Sequence, residues 1–249
     1  MRALWISGSG MAAEEQKLDL IANNMANLNT VGFKFQDAYV QEMSQVDDDG
    51  RNVQVNPAGT TVSSITRNFT QGNIQSTGNS LDVAINGDGF FEVTMPDETT
   101  GYTRSGQFSL DANGTLVTAN GNKVYPEVTV SSDTSSVAIN ANGQITATKN
   151  DGTTQVIGSL ELAKFINPGG LTDDGQGVFK PSANSGDPVV DSPGKQGLGT
   201  LQQGYTEGSN VDLASEMLKM MLTQRSYEMN TKVLQTTDQM MSLANGIKR

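Results

Sequence analysis

Residues 18–34 read LDLIANNMANLNTVGFK, from Leu18 to Lys34. Carried back toward the start of the chain, Leu4, Met11, Leu18 and Met25 recur at every seventh position, and Ile21 and Leu28 follow the last two at a spacing of three. That is the seam of a helix that pairs with another helix. Ser7 and Glu14 interrupt it nearer the start. The other face is unusual, because no charged residue occurs between Leu20 and Phe33, only Asn23, Asn24, Asn27 and Asn29 among small and apolar groups. A helix with one face in water carries Lys and Glu there. Amides in their place can be satisfied by other protein, so the segment reads as a helix built to be surrounded by neighbours. The plainer alternative is a core helix of an ordinary domain. Thr30, Val31 and Gly32 end it, since β-branched residues and Gly disfavour continuation.

A matching pattern lies at the other end of the chain. Leu213, Met220, Tyr227, Leu234 and Met241 again recur by sevens, preceded by Ser209 and Asn210, which favour the N-cap position. The segment Met217–Leu222 is apolar except for Lys219, and Met217, Met220 and Met221 lie in it. A turn that is apolar nearly all round cannot be covered by one partner helix, and unbranched thioethers adapt to more than one neighbour. Gln224, Thr231 and Asp238 fall at the alternate seam positions, so this seam sets register more than it adds stability.

The charge follows the same division. The chain has 249 residues with 27 acidic and 16 basic groups, a formal charge of −11, and neither Cys nor His. Both ends are balanced, three against three in residues 1–36 and five against five in residues 205–249, so the acidic excess sits in residues 37–204. Neutral ends can pack against copies of themselves without accumulating repulsion. The acidic balance argues against nucleic acid and anionic lipid as partners. The opening MRALWIS lacks the apolar run of a secretory leader, and no stretch is long enough to insert in a membrane.

Between the ends the sequence reads as β structure. Residues Phe35–Met43 continue as a short helix or begin extended structure, Asp47–Gly50 is a surface turn, and Val53–Gln71 reads as strands or an extended arm. From Leu81 onward Asn86-Gly87, Asp88-Gly89, Asn113-Gly114, Asn120-Gly121, Asn142-Gly143 and Asp151-Gly152 separate short apolar runs. Such dipeptides supply the positive φ that tight hairpins need. Strands are expected at 81–85, 90–95, 108–110, 116–117, 128–130, 137–139, 145–148 and 156–162, in antiparallel sheets. Residues 165–204, rich in Gly and Pro, read as irregular connecting backbone. The fold class is α+β, with paired, coiled-coil-like N- and C-terminal helices flanking an antiparallel, turn-rich β domain. The divisions are a helical stem at 1–36, a β body at 37–204 with connecting segments at 37–80 and 165–204, and a second stem at 205–249.

Catalytic chemistry finds little to stand on. Without Cys and His most nucleophile and base pairs cannot be assembled. Asp82, Asp88, Glu92, Asp97 and Glu161 are carboxylates by type only, and no spacing selects two of them for glycoside hydrolysis. Asp111-Ala-Asn113-Gly114 begins like a calcium loop, but Asn122 stands where the closing Glu belongs. Asn86-Gly87-Asp88-Gly89 runs into Phe90-Phe91 and not into a helix, so it is no dinucleotide fingerprint. The triplet Asp47, Asp48, Asp49 reads as a solvated turn. No metal and no cofactor is expected.

Three blocks of sequence resemble the bacterial flagellar rod and hook protein family. The first is Leu20-Ile-Ala-Asn-Asn-Met-Ala-Asn27 with Thr30-Val-Gly-Phe-Lys34. The second is Asp82–Phe91 with Tyr102-Thr-Arg-Ser-Gly-Gln-Phe108, Asp111, Gly114 and Leu116–Thr118. The third is Gln203-Gly-Tyr205, Glu207, Ser209-Asn-Val211, Glu216-Met217, Gln224–Glu228, Asn230, Lys232 and Thr237-Asp238. They span nearly the whole chain in order and look most like the distal rod branch. A shorter segment between Tyr39 and Asp82 keeps a similarly sized proximal-rod paralogue or a divergent rod/hook-like homologue open. The resemblance implies a subunit without enzymatic activity that polymerises into a hollow tube carrying torque from motor to hook. Export through the flagellar type III apparatus without cleavage is implied as well, with other rod proteins, the hook protein and the surrounding bushing rings as neighbours. Leu4, Met11, Leu18, Ile21, Asn23, Asn24, Met25, Asn27, Leu28, Leu213, Met217, Met220, Met221, Tyr227, Leu234 and Met241 are the candidate assembly residues. The alternative is a secreted β-rich binding or adhesive protein.

Overall fold

The computed structural model describes residues 2–48 and 53–247, and the chain divides into two compact units. Unit 1 combines residues 1–26, 36–68 and 211–249, and unit 2 combines 27–35 and 69–210.

Unit 1 contains two helices and a hairpin. Helix α1 (Arg2–Ala26) packs against α2 (Leu213–Ile247) and against strands β1 (Gln36–Asp48) and β2 (Val53–Arg67). The helices run antiparallel, since Asn24 bonds Glu216 while Met11 meets Thr231 nearer the other end. Glycines let the elements approach closely. A Cβ on Gly10 would stand 2.9 Å from the Asn230 amide nitrogen, and one on Gly59 2.0 Å from Ser9 Oγ. Among the described residues β1 and β2 pair only with each other, in a register broken between Tyr39 and Val40 and again between Met43 and Ser44.

Residues 36–43 are therefore extended, and 36–68 group with the helices, where the sequence reading placed 37–68 in the β body. Alternation in these strands is weak because neither face enters the sheets of the β body. Of the expected turn at Asp47–Gly50, Asp47 and Asp48 belong to β1, while Asp49 and Gly50 lie outside the described residues. Helix α1 stops at Ala26 and two turns follow, so Asn27 and Leu28 lie past its end. Gly32 takes φ +71°, with Ser105 N 2.8 Å from where its Cβ would be, and no L side chain fits there without strain.

Unit 2 is the antiparallel β body. Its largest sheet has nine strands, centred on Phe90–Thr94, which pairs with Thr100–Thr103, Lys123–Tyr125 and Leu162–Lys164. A second sheet joins Thr134–Ile139, Gln144–Lys149 and Thr154–Ser159. Two further pairs join Val83–Asn86 to Thr200–Gln203 and Ile74–Ser76 to Tyr205–Glu207. The glycines of all six predicted turn dipeptides have positive φ, from +79° to +136°. The core is built on Val83, Ile85, Phe91, Leu116, Ile145, Leu160 and Leu162, with Phe91 edge-on to Phe108 at 5.0 Å. A second cluster stacks Phe90, Tyr102, Phe165 and Phe179.

Several strands differ from expectation. Residues 128–130 make only the isolated bridge Thr115↔Thr129, although Val128 and Val130 are buried. The run 156–162 is split into Thr154–Ser159 and Leu162–Lys164, because Leu160 turns into the core. Residues 165–204 hold short paired strands, among them Val178–Lys180 and Thr200–Gln203, which are too brief for periodicity to reveal.

Candidate assembly surface and its buried nodes

The predicted seam residues separate by exposure. On α1, Ile21 is buried while Leu4, Met11, Leu18 and Met25 are half-buried. Asn23 is exposed, and Asn27 and Leu28 are half-buried within unit 2. On α2, Met220, Leu234 and Met241 are half-buried, whereas Leu213, Met217, Met221 and Tyr227 are exposed. Among the polar side chains of α2, Glu216 bonds Asn24 and Asn230 sits against Gly10, while Thr223 is buried and Thr237 half-buried. Of the alternate seam positions assigned from spacing, Thr231 is half-buried and meets Met11 of α1, whereas Gln224 and Asp238 are exposed.

Asn24 was expected to face neighbours. Its side chain is instead closed within unit 1: Nδ2 donates to Gln36 O at 2.8 Å and to Glu216 Oε2 at 3.1 Å, and Oδ1 accepts from Gln36 N at 3.0 Å. Lys219 pairs with the same carboxylate at 3.1 Å. One amide therefore ties α1, β1 and α2 together. The cap of α2 is Asp212, not Ser209 or Asn210. Its carboxylate accepts from Ser215 Oγ, Ala214 N and Ser215 N, which in that order hold it below its ordinary range. Asn210 has another task, since its Oδ1 accepts from Phe35 N at 2.7 Å and its Nδ2 donates to Thr70.

What remains outside is apolar. Among the described residues, 22 large hydrophobic side chains are exposed, and 16 of them belong to unit 1. They include Trp5, Met217, Leu218, Met221, Leu222 and Leu243, each more than half exposed.

Unit 2 holds a second polar node that periodicity could not reveal. Lys34, Arg104 and Glu207 are all buried. Glu207 Oε1 accepts from Lys34 Nζ at 2.7 Å and from Gly72 N at 2.8 Å, and Oε2 accepts from Arg104 Nε at 2.5 Å. Arg104 also donates to Gly89 O and Gly87 O, so the turn Asn86-Gly87-Asp88-Gly89 is a cradle of carbonyls for a guanidinium. Burial pushes the Lys34 ammonium down; the Glu207 carboxylate opposes that, and Arg104 adds to it. One signal was available: Lys34 is the first charge after the uncharged run 20–33.

No catalytic constellation forms from the candidate carboxylates. Asp82 bonds Asn79, Asp88 pairs with Lys164, and Asp97 bonds Thr99. Glu92 is pushed above the carboxylate range by burial and then by the charge of Glu161. Among the described residues no three acidic groups converge as metal ligands would, and no helix is long and apolar enough to cross a membrane. A cavity of about 170 Å³ opens beside Arg104 under Phe69, Phe90 and Phe165, but the guanidinium is already committed to Glu207 and the cradle.

Comparison with known proteins gives matches along the chain. Residues 4–34 match the flagella basal body rod protein family, 84–147 the D1 domain of the flagellar hook proteins FlgE/F/G, and 202–247 the C-terminal part of the flagellar basal body rod FlgEFG proteins. Flagellar basal-body rod protein FlgG of Borreliella burgdorferi is 41% identical over 264 residues, covering 100% of this chain and 99% of that protein. The protein of the same name from Bacillus subtilis is 36% identical, with 100% of both chains covered. FlgF of Caulobacter vibrioides is 31% identical, covering 94% of this chain and 93% of its own.

Proposed function

Because the chain belongs to the flagellar basal-body rod protein family, in its FlgG-type distal branch, we propose that unit 1 is the surface through which this rod subunit polymerises. The chain is a structural subunit and not an enzyme, and the adhesive alternative has no support. Copies pack through α1 and α2 into a hollow helical tube that transmits torque from motor to hook, with a coiled-coil-like seam completed by neighbouring subunits. The observation that carries this reading is that, among the described residues, 16 of 22 exposed large apolar side chains lie in unit 1. Burying one such side chain fully stabilises by about 1.5–3 kcal/mol, so the α2 ridge at Met217, Met221 and Leu222 holds association energy that the monomer does not use.

The same reading places the subunit in the flagellar basal body. Other rod proteins and the hook protein meet it along the axis, bushing rings surround it, and the type III apparatus exports it. The paired neutral ends support self-packing. Met217→Asp and Met221→Asp test it directly, since both positions are exposed and the monomer should keep its circular dichroism spectrum. Loss of polymer by electron microscopy is the expected result. Normal polymers from both variants would remove the ridge from the interface.

A further inference from the structure

Every passage of the chain between the two units starts or ends in one of three short segments of unit 2. The breaks fall at 26/27, 35/36, 68/69 and 210/211, so the segments are 27–35, the run beginning at Phe69, and the run ending at Asn210. All three are fastened to each other inside unit 2. Lys34 Nζ donates to Glu207 Oε1 and, at 2.8 Å, to Thr70 O. Gly72 N donates to the same carboxylate oxygen. Gly32 N donates to the Glu207 backbone carbonyl at 2.8 Å. Asn210 closes the set through Phe35 N and Thr70. Arg104 Nε holds the other carboxylate oxygen, and its two terminal nitrogens grip Gly87 O and Gly89 O, which lead into the central strand Phe90–Thr94.

We propose that Glu207 is the positioning residue of the β body, a buried clasp that fixes where the three connecting segments leave it and passes their load through Arg104 to the central sheet. This rests on the reading of the chain as a torque-carrying rod subunit. A buried ion pair is a poor source of net stability, because desolvation offsets most of the attraction. It is directional, however, and a fully satisfied polar network rigidifies the groups it joins. Apolar packing of the same volume would let the segments slide under shear. The stoichiometry fits the task. Two cations share one carboxylate, and the surplus positive charge is met by the carbonyls of Thr70, Gly87 and Gly89. The clasp therefore depends on Glu207 above any other member, since without it two buried cations face each other.

The test uses the full-length protein and two readouts. In Glu207→Gln, hydrogen exchange should show a loss of protection of at least about tenfold in residues 30–35, 69–72 and 207–211, with residues 90–94 and 162–165 as slow as before. As the only copy in a motile host, the same variant should build rods in normal number yet lose swimming as medium viscosity rises. Glu207→Asp, which keeps the charge, should tolerate load better. Uniform loss of protection across the core would reduce the node to a stability element and overturn the proposal, as would unchanged load tolerance alongside locally lost protection. If Glu207→Gln fails to fold, Lys34→Met carries the same two measurements. A wild-type chain that builds no rod defeats the rod reading itself, while the exchange result still decides whether the clasp exists.

Discussion

Unit 1 holds about two-fifths of the chain but, among the described residues, only three of 28 buried apolar residues, Ala13, Ile21 and Val211, while the three hydrophobic clusters found there all lie in unit 2. Exposure runs the other way. Both regions are ordered sets of regular elements, so the difference lies in where the apolar surface is spent. Unit 2 closes its core on itself. Unit 1 keeps its largest side chains outside and joins its elements with glycine contacts and one amide node. A region of the second kind has little stability of its own, because tertiary burial and not propensity supplies most helix stability.

The widest separation should come from side-chain truncation. Phe91→Ala, at a fully buried position, should cost about 3–5 kcal/mol in urea melting of unit 2. Met221→Ala, at 59% exposure, should change monomer stability by no more than about 0.5 kcal/mol and act only on polymerisation. Equal costs at the two sites would erase the contrast. Within unit 1, Asn24→Ala leaves Glu216 and the Gln36 backbone short of a partner and should cost about 1–3 kcal/mol. Loss of ellipticity at 222 nm at a lower urea concentration would register it, with the β-sheet transition unmoved.

The two units should also part company with pH. Tyr102 is pushed up to about 12 by burial and by the Glu92 charge. Its folded phenol keeps its proton where the unfolded one, near 10, has lost it, so this contribution to unit 2 is intact below pH 10 and lost between 10 and 12. Absorbance at 295 nm should show a step near 12 that Tyr102→Phe removes. Asp212 is held below 3.8 by Ser215 and Ala214, so its contribution to α2 is present above pH 3.8 and lost as pH falls through the lower folded value. A small fall in helix signal on acidification, blunted in Asp212→Asn, is the expected outcome. Alkali should thus loosen the β body, and acid the stem.

What could be read in the sequence follows from the range of the forces involved. The hairpin glycines were legible because a positive φ is a property of one residue and its neighbour. The helices are legible because their period repeats locally, although Gln224 and Asp238 of the expected polar row are exposed while Thr231 meets α1, and Leu28 lies past the end of α1. The β1–β2 hairpin was not legible as part of the stem, since its strands are polar and pair only with each other. The Lys34–Glu207 contact joins residues 173 positions apart, and no local pattern encodes it.

The broken register of that hairpin has a bearing on the time before a subunit finds its place. Among the described residues no third strand pairs with either side of this ribbon, and strand edges left open in this way are templates onto which an extended chain can add, the first step toward a fibril. Each irregularity, at Tyr39/Val40 and at Met43/Ser44, bends and over-twists the ribbon locally. A straight incoming strand can then follow it for only a few residues before losing alignment. Growth by strand addition is thereby discouraged in crowded solution, while docking that matches the ribbon's own twist is left open.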